Sequence, residues 1–135
     1  MLARRIWLSA RQLAASLRRL PAILTLVLIF AAPALGQQDL ERAKIDYLID
    51  SIAQLHDAVF IRNGTDYTSA QAADHLRLKL RNAGARVRTA EEFITRCATG
   101  SSVSGEKYRI RFADGRVVDN AVFLRQKLAE FRGPS

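Results

Sequence analysis

The chain has 135 residues and a single cysteine, Cys97, which excludes an intrachain disulfide bond. Cys97 falls on the apolar side of a predicted helix, so we expect its thiol to be buried rather than reactive. Acidic residues are missing from the first part of the chain: the first one is Asp39. Neither an internal repeat nor a low-complexity tract is present, and the length favours one small domain.

The positive charge of the chain is concentrated at its N-terminal end. The formal net charge is +8, from 21 basic and 13 acidic residues, but five of the basic residues precede Ala22. This leaves 16 basic against 13 acidic residues in the remainder, with no run of five like charges. We therefore expect no binding to nucleic acid.

The N-terminal residues have the order of parts that is typical of a secretory signal. Residues 1–20 carry only positive charge, an apolar run covers 21–32, and the small residues Ala34 and Gly36 precede Gln37. We predict a cleaved signal peptide over residues 1–36 and a mature periplasmic domain over residues 37–135, with cleavage after Ala34 as an alternative. The apolar run is shorter than the roughly 20 residues of a spanning helix, so no permanent membrane span is expected after cleavage.

Three helices are predicted between residues 40 and 100 of the mature part. An apolar stripe at spacings of three and four predicts the first, from Leu40 to about Asp57. Thr68 and Thr89 each begin a capping box, with Gln71 and Glu92 three residues later, and these predict the starts of the second and third helices. Glycines 84 and 100 are expected to end them.

The character of the chain changes after residue 100. Residues 107–112 alternate strictly between polar and apolar side chains, and Asp114-Gly115 is a strong hairpin signal. Asp119 is predicted to cap a last helix. The predicted fold is α+β and mainly α: three helices, one β-hairpin and a C-terminal helix, packed as a single small domain.

Several segments in this order resemble a known family. They are Phe60 to Gly64, His75 to Leu80, Thr89 to Ile94, and Ser101 to Gly105 before Tyr108. The chain is similar over about residues 40–131 to the YfeK-like family of small exported proteins of Gram-negative bacteria, a domain of unknown function. The resemblance implies residence in the periplasm and brings no activity with it.

The most informative polar group surrounds the Asn-Gly turn. Arg62 and Asn63 stand beside a permissive glycine, and His75 and Lys79 lie one turn apart on the following helix. A guanidinium with an amide can bind a carboxylate or phosphate, which predicts a small periplasmic accessory or binding protein for a small anionic ligand or an envelope protein. In the structural alternative, Arg62 ties the loop to helix carbonyls and Tyr67 fills the core.

Enzymatic alternatives depend on His75. A small periplasmic hydrolase or metal-dependent enzyme would use this imidazole with a serine, a thiol or carboxylates, but no GxSxG motif is present. The His56-Asp57 and Asp74-His75 pairs lack an HxxxH or HxH spacing, so neither metal nor cofactor is expected. A third hypothesis is assembly with an envelope protein by strand addition to the hairpin edge. We favour binding over catalysis.

Overall fold

The computed structural model describes residues 21–133 of the chain, with side chains from residue 36 onward. The predicted signal peptide therefore lies outside the described residues, apart from the backbone of its last part. Helix α1 spans Pro21–Ala53 and ends earlier than the predicted Asp57, because the chain turns there into a strand. Within residues 21–133, no helix has the length and apolar character that crossing a membrane requires.

A β-hairpin follows helix α1 where the sequence predicts only a turn. Strand β1 is Val59–Arg62 and strand β2 is Thr65–Tyr67. Asn63 and Gly64 join them with φ values of 50° and 73°. Two successive positive φ angles are typical of a type I′ turn, whose twist matches that of the paired strands.

Helices α2 and α3 begin at the two predicted capping boxes. Helix α2 spans Ser69–Ala83, with the Thr68 box formed and Gly84 at its C-terminal end. Helix α3 spans Ala90–Phe93 with the Thr89 box formed, and a π-helical turn, Ile94–Ala98, continues it. Both predicted capping boxes are therefore confirmed. Gly84 ends helix α2, as predicted, and has a positive φ.

The second hairpin and the last helix complete the domain. Strands β3, Arg109–Arg111, and β4, Val117–Asp119, form the predicted hairpin, and helix α4 spans Asn120–Glu130. Asp119 stands at the start of α4, but its carboxylate accepts a hydrogen bond from Lys107 Nζ at 2.8 Å and does not cap the helix. The α+β, mainly α fold class is confirmed, with two hairpins where the sequence predicts one.

The two hairpins form one antiparallel sheet in the order β2-β1-β3-β4. Tyr67 lies opposite Phe60, Phe60 opposite Ile110, and Ile110 opposite Val118. Residues paired in this way share a face of the sheet, and Phe60 and Ile110 are buried, so this row marks the inner face. Side chains on alternate positions point to the outer face.

A single apolar core lies in the compact unit that Gly36–Ser135 forms. Phe93 is the largest fully buried side chain of this core. The π-helical turn that follows it, Ile94–Ala98, contacts both α2 and α4. Cys97 is buried in the same cluster, as predicted. Glu41 connects α1 to α3: its Oε2 accepts a hydrogen bond from the backbone N–H of Ala90 at 2.8 Å. Other core side chains come from every helix and from β1 and β3: Ile45, Leu48, Ile49, Ile52, Phe60, Leu76, Ile94, Ile110 and Leu124.

Candidate functional site

A cavity of about 260 Å³ lies between the first hairpin, helix α2 and the start of helix α4. Its volume is just below the roughly 300–1,000 Å³ of typical small-molecule sites, which suits a ligand of amino-acid size. The buried members of its lining form the floor and the exposed members surround the mouth. The lining comprises Phe60, Ile61, Arg62, Tyr67, Gln71, Ala72, Asp74, His75, Leu76, Tyr108, Arg109 and Asn120.

The pleat of the sheet explains why a charged residue lines this cavity. Arg62 follows Phe60 by two positions in β1 and so shares its inner face. Tyr67 is the direct partner of Phe60 across the first hairpin, and Tyr108 precedes the buried Ile110 by two positions. The guanidinium and both phenols are therefore directed towards helix α2 and not into solvent.

Arg62 contacts the imidazole of His75. Its Nη1 lies 2.8 Å from Nδ1 and 3.0 Å from Nε2 of His75, and Nη2 donates to Tyr67 Oη at 3.3 Å. A guanidinium is always a donor, so Arg62 donates to a ring nitrogen of His75. Nε2 of His75 also lies within hydrogen-bond distance of Tyr108 Oη, 3.2 Å away.

Lys79 joins the same group from the next turn of α2. Its ammonium donates to the carbonyl of Gly100 at 2.8 Å and to Tyr108 Oη at 3.3 Å. The Tyr108 oxygen thus accepts from Lys79 and also forms a hydrogen bond with His75. A β-carbon at Gly100 would lie 2.6 Å from the carbonyl oxygen of Glu106, so a glycine is required where Lys79 is held.

The surroundings favour a neutral imidazole. Burial lowers the pKa of His75 below its usual value, and the cations of Arg62 and Lys79 lower it further. Burial likewise lowers the pKa of Lys79 and raises the pKa of Tyr108. At neutral pH the group consists of a neutral histidine and a neutral tyrosine held by two cationic side chains.

Neither cation has a carboxylate partner in the part of the chain that the structure describes. Asp74 also lines the cavity, but its carboxylate pairs with Arg77 at 3.0 Å, and Asp66 pairs with Arg111. Arg62 and Lys79 form no ion pair with residues 36–133 and are both partly buried. A partly desolvated, uncompensated pair of cations is stabilised by an anion.

The four residues predicted as a site do not all lie at the cavity. Arg62 and His75 line it and contact each other, whereas Lys79 is connected to them through Tyr108. Asn63 is exposed in the turn, and its Oδ1 accepts a hydrogen bond from Ser104 Oγ at 2.7 Å, so it joins two loops. Arg62 contacts side chains instead of the helix carbonyls of the structural alternative.

Sequence reasoning did not identify Tyr108 and Asn120 as members of the site. The alternating pattern of residues 107–112 assigns Tyr108 to a buried face, but nothing local indicates that this face meets His75. Asn120 is only 3% exposed and lines the cavity from the first turn of α4. No sequence pattern indicates that Asn120 belongs to the site, because this single amide is brought there by long-range packing.

The contacts of His75 do not resemble a nucleophile with its base. Within residues 36–133 its hydrogen-bond partners are Arg62 and Tyr108, and the cavity lining contains no serine, threonine or cysteine. His56 is exposed after the end of helix α1. The described residues hold no group of three or more His, Cys, Asp or Glu side chains that could bind a metal ion.

Comparison with known proteins identifies a family of unknown function. Residues 39–132 match the model of the family described as "Family of unknown function (DUF5329)". The chain is 43% identical over 68 residues to the Salmonella typhimurium protein described as "Uncharacterized protein YfeK". That alignment covers 50% of this chain and 57% of the length of the Salmonella protein. No solved structure matches. The predicted resemblance to the YfeK-like family is confirmed.

Proposed function

The chain belongs to the DUF5329 family, whose function is unknown, and we propose that its mature domain is a small periplasmic protein that binds a small organic anion. The observation that carries this proposal is the uncompensated guanidinium of Arg62 at the wall of a cavity of about 260 Å³. The periplasmic location rests on the basic, apolar and small-residue segments of residues 1–36.

The donors at the cavity favour a carboxylate. Arg62 uses two of its nitrogens in the contacts with His75 and Tyr67, and its planar fork keeps further N–H groups for a carboxylate. Because His75 is neutral and already accepts from Arg62, it fixes the guanidinium in place without neutralising it.

The apolar lining favours a carboxylate with a hydrophobic body. Phe60 and Leu76 are buried beside the cavity, and the ring of Tyr67 lies under the guanidinium, with 4.9 Å from Arg62 Cζ to the ring centre. Aromatic and aliphatic walls with a few fixed polar groups are typical of ligand pockets. An acid with a short aromatic or branched chain would fill the cavity and present its carboxylate to Arg62.

The described lining contains no serine, threonine or cysteine, and the carboxylate of Asp74 pairs with Arg77, so binding is better supported than the hydrolase alternative. Arg62 also makes His75 a poor base, since a proton taken up by the imidazole would lie beside a cation. We therefore propose binding, and not turnover, as the role of His75 at this site.

The test is a binding titration with the protein expressed from its full sequence and purified in the form that the bacterial cell makes. Its intact mass reports whether residues 1–36 have been removed. A thermal-shift screen with monocarboxylates from acetate to 3-phenylpropionate is followed by calorimetry. We expect a rise in melting temperature that grows with the apolar part of the acid.

Three variants make this test specific. Arg62→Gln removes the charge and should weaken 3-phenylpropionate binding by about 10–100-fold, as expected for the loss of a charged hydrogen bond of about 1.5–3 kcal/mol. Arg62→Lys keeps the charge but loses the planar fork and should bind with intermediate affinity. Arg111→Gln removes an equal charge from the same sheet and should bind like the native chain. The proposal fails if no acid shifts the native protein, or if Arg62→Gln binds as tightly as Arg111→Gln.

A further inference from the structure

The contact between Arg62 and His75 requires an imidazole that has not taken up a second proton. Arg62 Nη1 lies 2.8 Å from Nδ1 and 3.0 Å from Nε2 of His75, and the guanidinium has donors only. A neutral imidazole has one nitrogen that accepts this hydrogen bond, whereas an imidazolium has two donors and no acceptor. Protonation of His75 therefore breaks the contact, whichever of the two nitrogens accepts.

The charged groups around His75 favour its neutral form when no ligand is bound. Burial holds the pKa of His75 below its usual value, and the charges of Arg62 and Lys79 lower it further. The carboxylate of Asp74, next to His75 in α2, pairs with Arg77 at 3.0 Å. Helix α4 contributes the uncharged Asn120 to the cavity lining. The ionisable side chains that face the imidazole or line its cavity come from β1, β2, α2, β3 and the segment before β3: Arg62, Tyr67, Asp74, Lys79, Tyr108 and Arg109.

A carboxylate bound at Arg62 would reverse this balance. Arg62 and His75 line the same cavity, and both are partly buried. Because Arg62 Nη1 lies 2.8 Å from the imidazole, an anion that accepts from the guanidinium also lies close to His75. An opposite charge nearby favours the protonated form of a histidine. The imidazolium can then donate to the anion, and the N–H of Arg62 that it releases can donate to the same anion.

We infer that the cavity couples the binding of a carboxylate to the uptake of a proton from solvent by His75, so that the protein binds its ligand more tightly at mildly acidic than at neutral pH. This inference rests on the proposed function, since it assumes that a carboxylate binds at Arg62. The bound anion raises the pKa of His75, so the complex holds more protons than the free protein in the interval between the two pKa values. The affinity therefore rises as the pH falls through this interval.

The native protein tests this coupling with 3-phenylpropionate as the probe. Its carboxyl group resembles that of a glutamate side chain, which titrates at about pH 4.3, so the probe is ionised from pH 5.5 to pH 7.5. We expect its dissociation constant to decrease about 5-fold from pH 7.5 to pH 5.5, the effect of two opposite charges about 4 Å apart in water. Calorimetry near pH 6 in two buffers of different ionisation enthalpy should show the proton uptake directly, as a difference in the measured heat.

The chain has two histidines, and a variant of each assigns the coupling to one side chain. His75→Gln keeps an oxygen that accepts from Arg62 but takes up no proton, so its affinity for the probe should be the same at pH 7.5 and pH 5.5. His56→Gln, the matched control, removes the exposed histidine after α1 and should keep the native pH dependence. Nuclear magnetic resonance of the histidine rings provides a readout that does not depend on the folding of His75→Gln. Saturating 3-phenylpropionate should move the titration of one ring, which His56→Gln identifies as His75, to higher pH.

The outcomes separate this inference from the proposed function. An affinity of the native protein that is equal at the two pH values, or lower at pH 5.5, overturns the inference and leaves the proposed function intact. A pH dependence that persists in His75→Gln or disappears in His56→Gln overturns the inference as well. If the native protein binds the acid at neither pH, the proposed function itself fails.

Discussion

The two faces of the sheet carry similar basic residues in opposite electrostatic settings. On the outer face, Lys107 pairs with Asp119 at 2.8 Å and Arg111 pairs with Asp66, and the exposure of these side chains ranges from 31% to 62%. On the inner face, Arg62 is partly buried and contacts a neutral imidazole and a phenol. The charges of Lys107 and Arg111 are neutralised by these carboxylates. The charge of Arg62 is not neutralised by a carboxylate among the described residues, and a bound anion would stabilise it.

This difference separates residues that maintain the fold from residues that we propose bind a ligand. Exposed ion pairs add little to stability and keep a strand face soluble. A partly buried cation without a carboxylate is unfavourable for the ligand-free domain, and proteins retain such groups mainly where function needs them.

The largest expected effect comes from the core that supports the inner face. Phe93 is fully buried, and Phe93→Ala should lower the free energy of unfolding by about 3–5 kcal/mol because it leaves a cavity in the apolar core. Urea unfolding followed by circular dichroism measures this. Val103 is 98% exposed, and Val103→Ala, the control, should change stability by less than about 0.5 kcal/mol. Similar losses in the two variants would contradict the assignment of Phe93 to the core.

Much of the fold could be predicted from local signals. Both capping boxes and the Asp114-Gly115 hairpin depend on residues within four positions of each other, and all three are present. The first hairpin was missed because its first strand, Val59–Arg62, does not alternate between polar and apolar side chains as residues 107–112 do. The Asn63-Gly64 pair with apolar residues before it was the signal that could have identified it.

The site was predictable only where its members lie on one element or beside a turn. His75 and Lys79 are one helical turn apart, and Arg62 stands next to the turn, so all three were named from the sequence. The contact between Arg62 and His75 depends on how α2 packs on the sheet. Tyr108 lies beside them because β1 pairs with β3. Such contacts follow from tertiary structure, which one sequence does not reveal.

A smaller effect is expected on the outer face. A double-mutant cycle with Arg111→Ala and Asp66→Ala should give a coupling of about 0.2–1 kcal/mol, typical of exposed ion pairs. The coupling should fall when salt is raised to 1 M, because the Debye length then shrinks to about 3 Å. Thermal unfolding of the four proteins measures it. A coupling above about 2 kcal/mol that resists salt would mean that the outer face is not simply solvated.

The smallest effect is the pH dependence that His75 gives to the inner face. The pKa of His75 in the folded protein lies below its ordinary value of 6.5, so the unfolded chain binds more protons in the interval between the two values. Stability from the neutral imidazole is complete above pH 6.5 and is lost as the pH falls through the folded pKa. We expect the melting temperature to decrease between pH 7.5 and 5.5, and this decrease to be shallower in His75→Gln. The pKa values of Glu41 and Glu91 are lowered from their ordinary value of 4.5. These carboxylates therefore change stability only below about pH 4.5, outside the interval in which His75 titrates. If the two proteins had the same slope, the imidazole would not be desolvated beside Arg62, and the contrast between the two faces would lose its electrostatic basis.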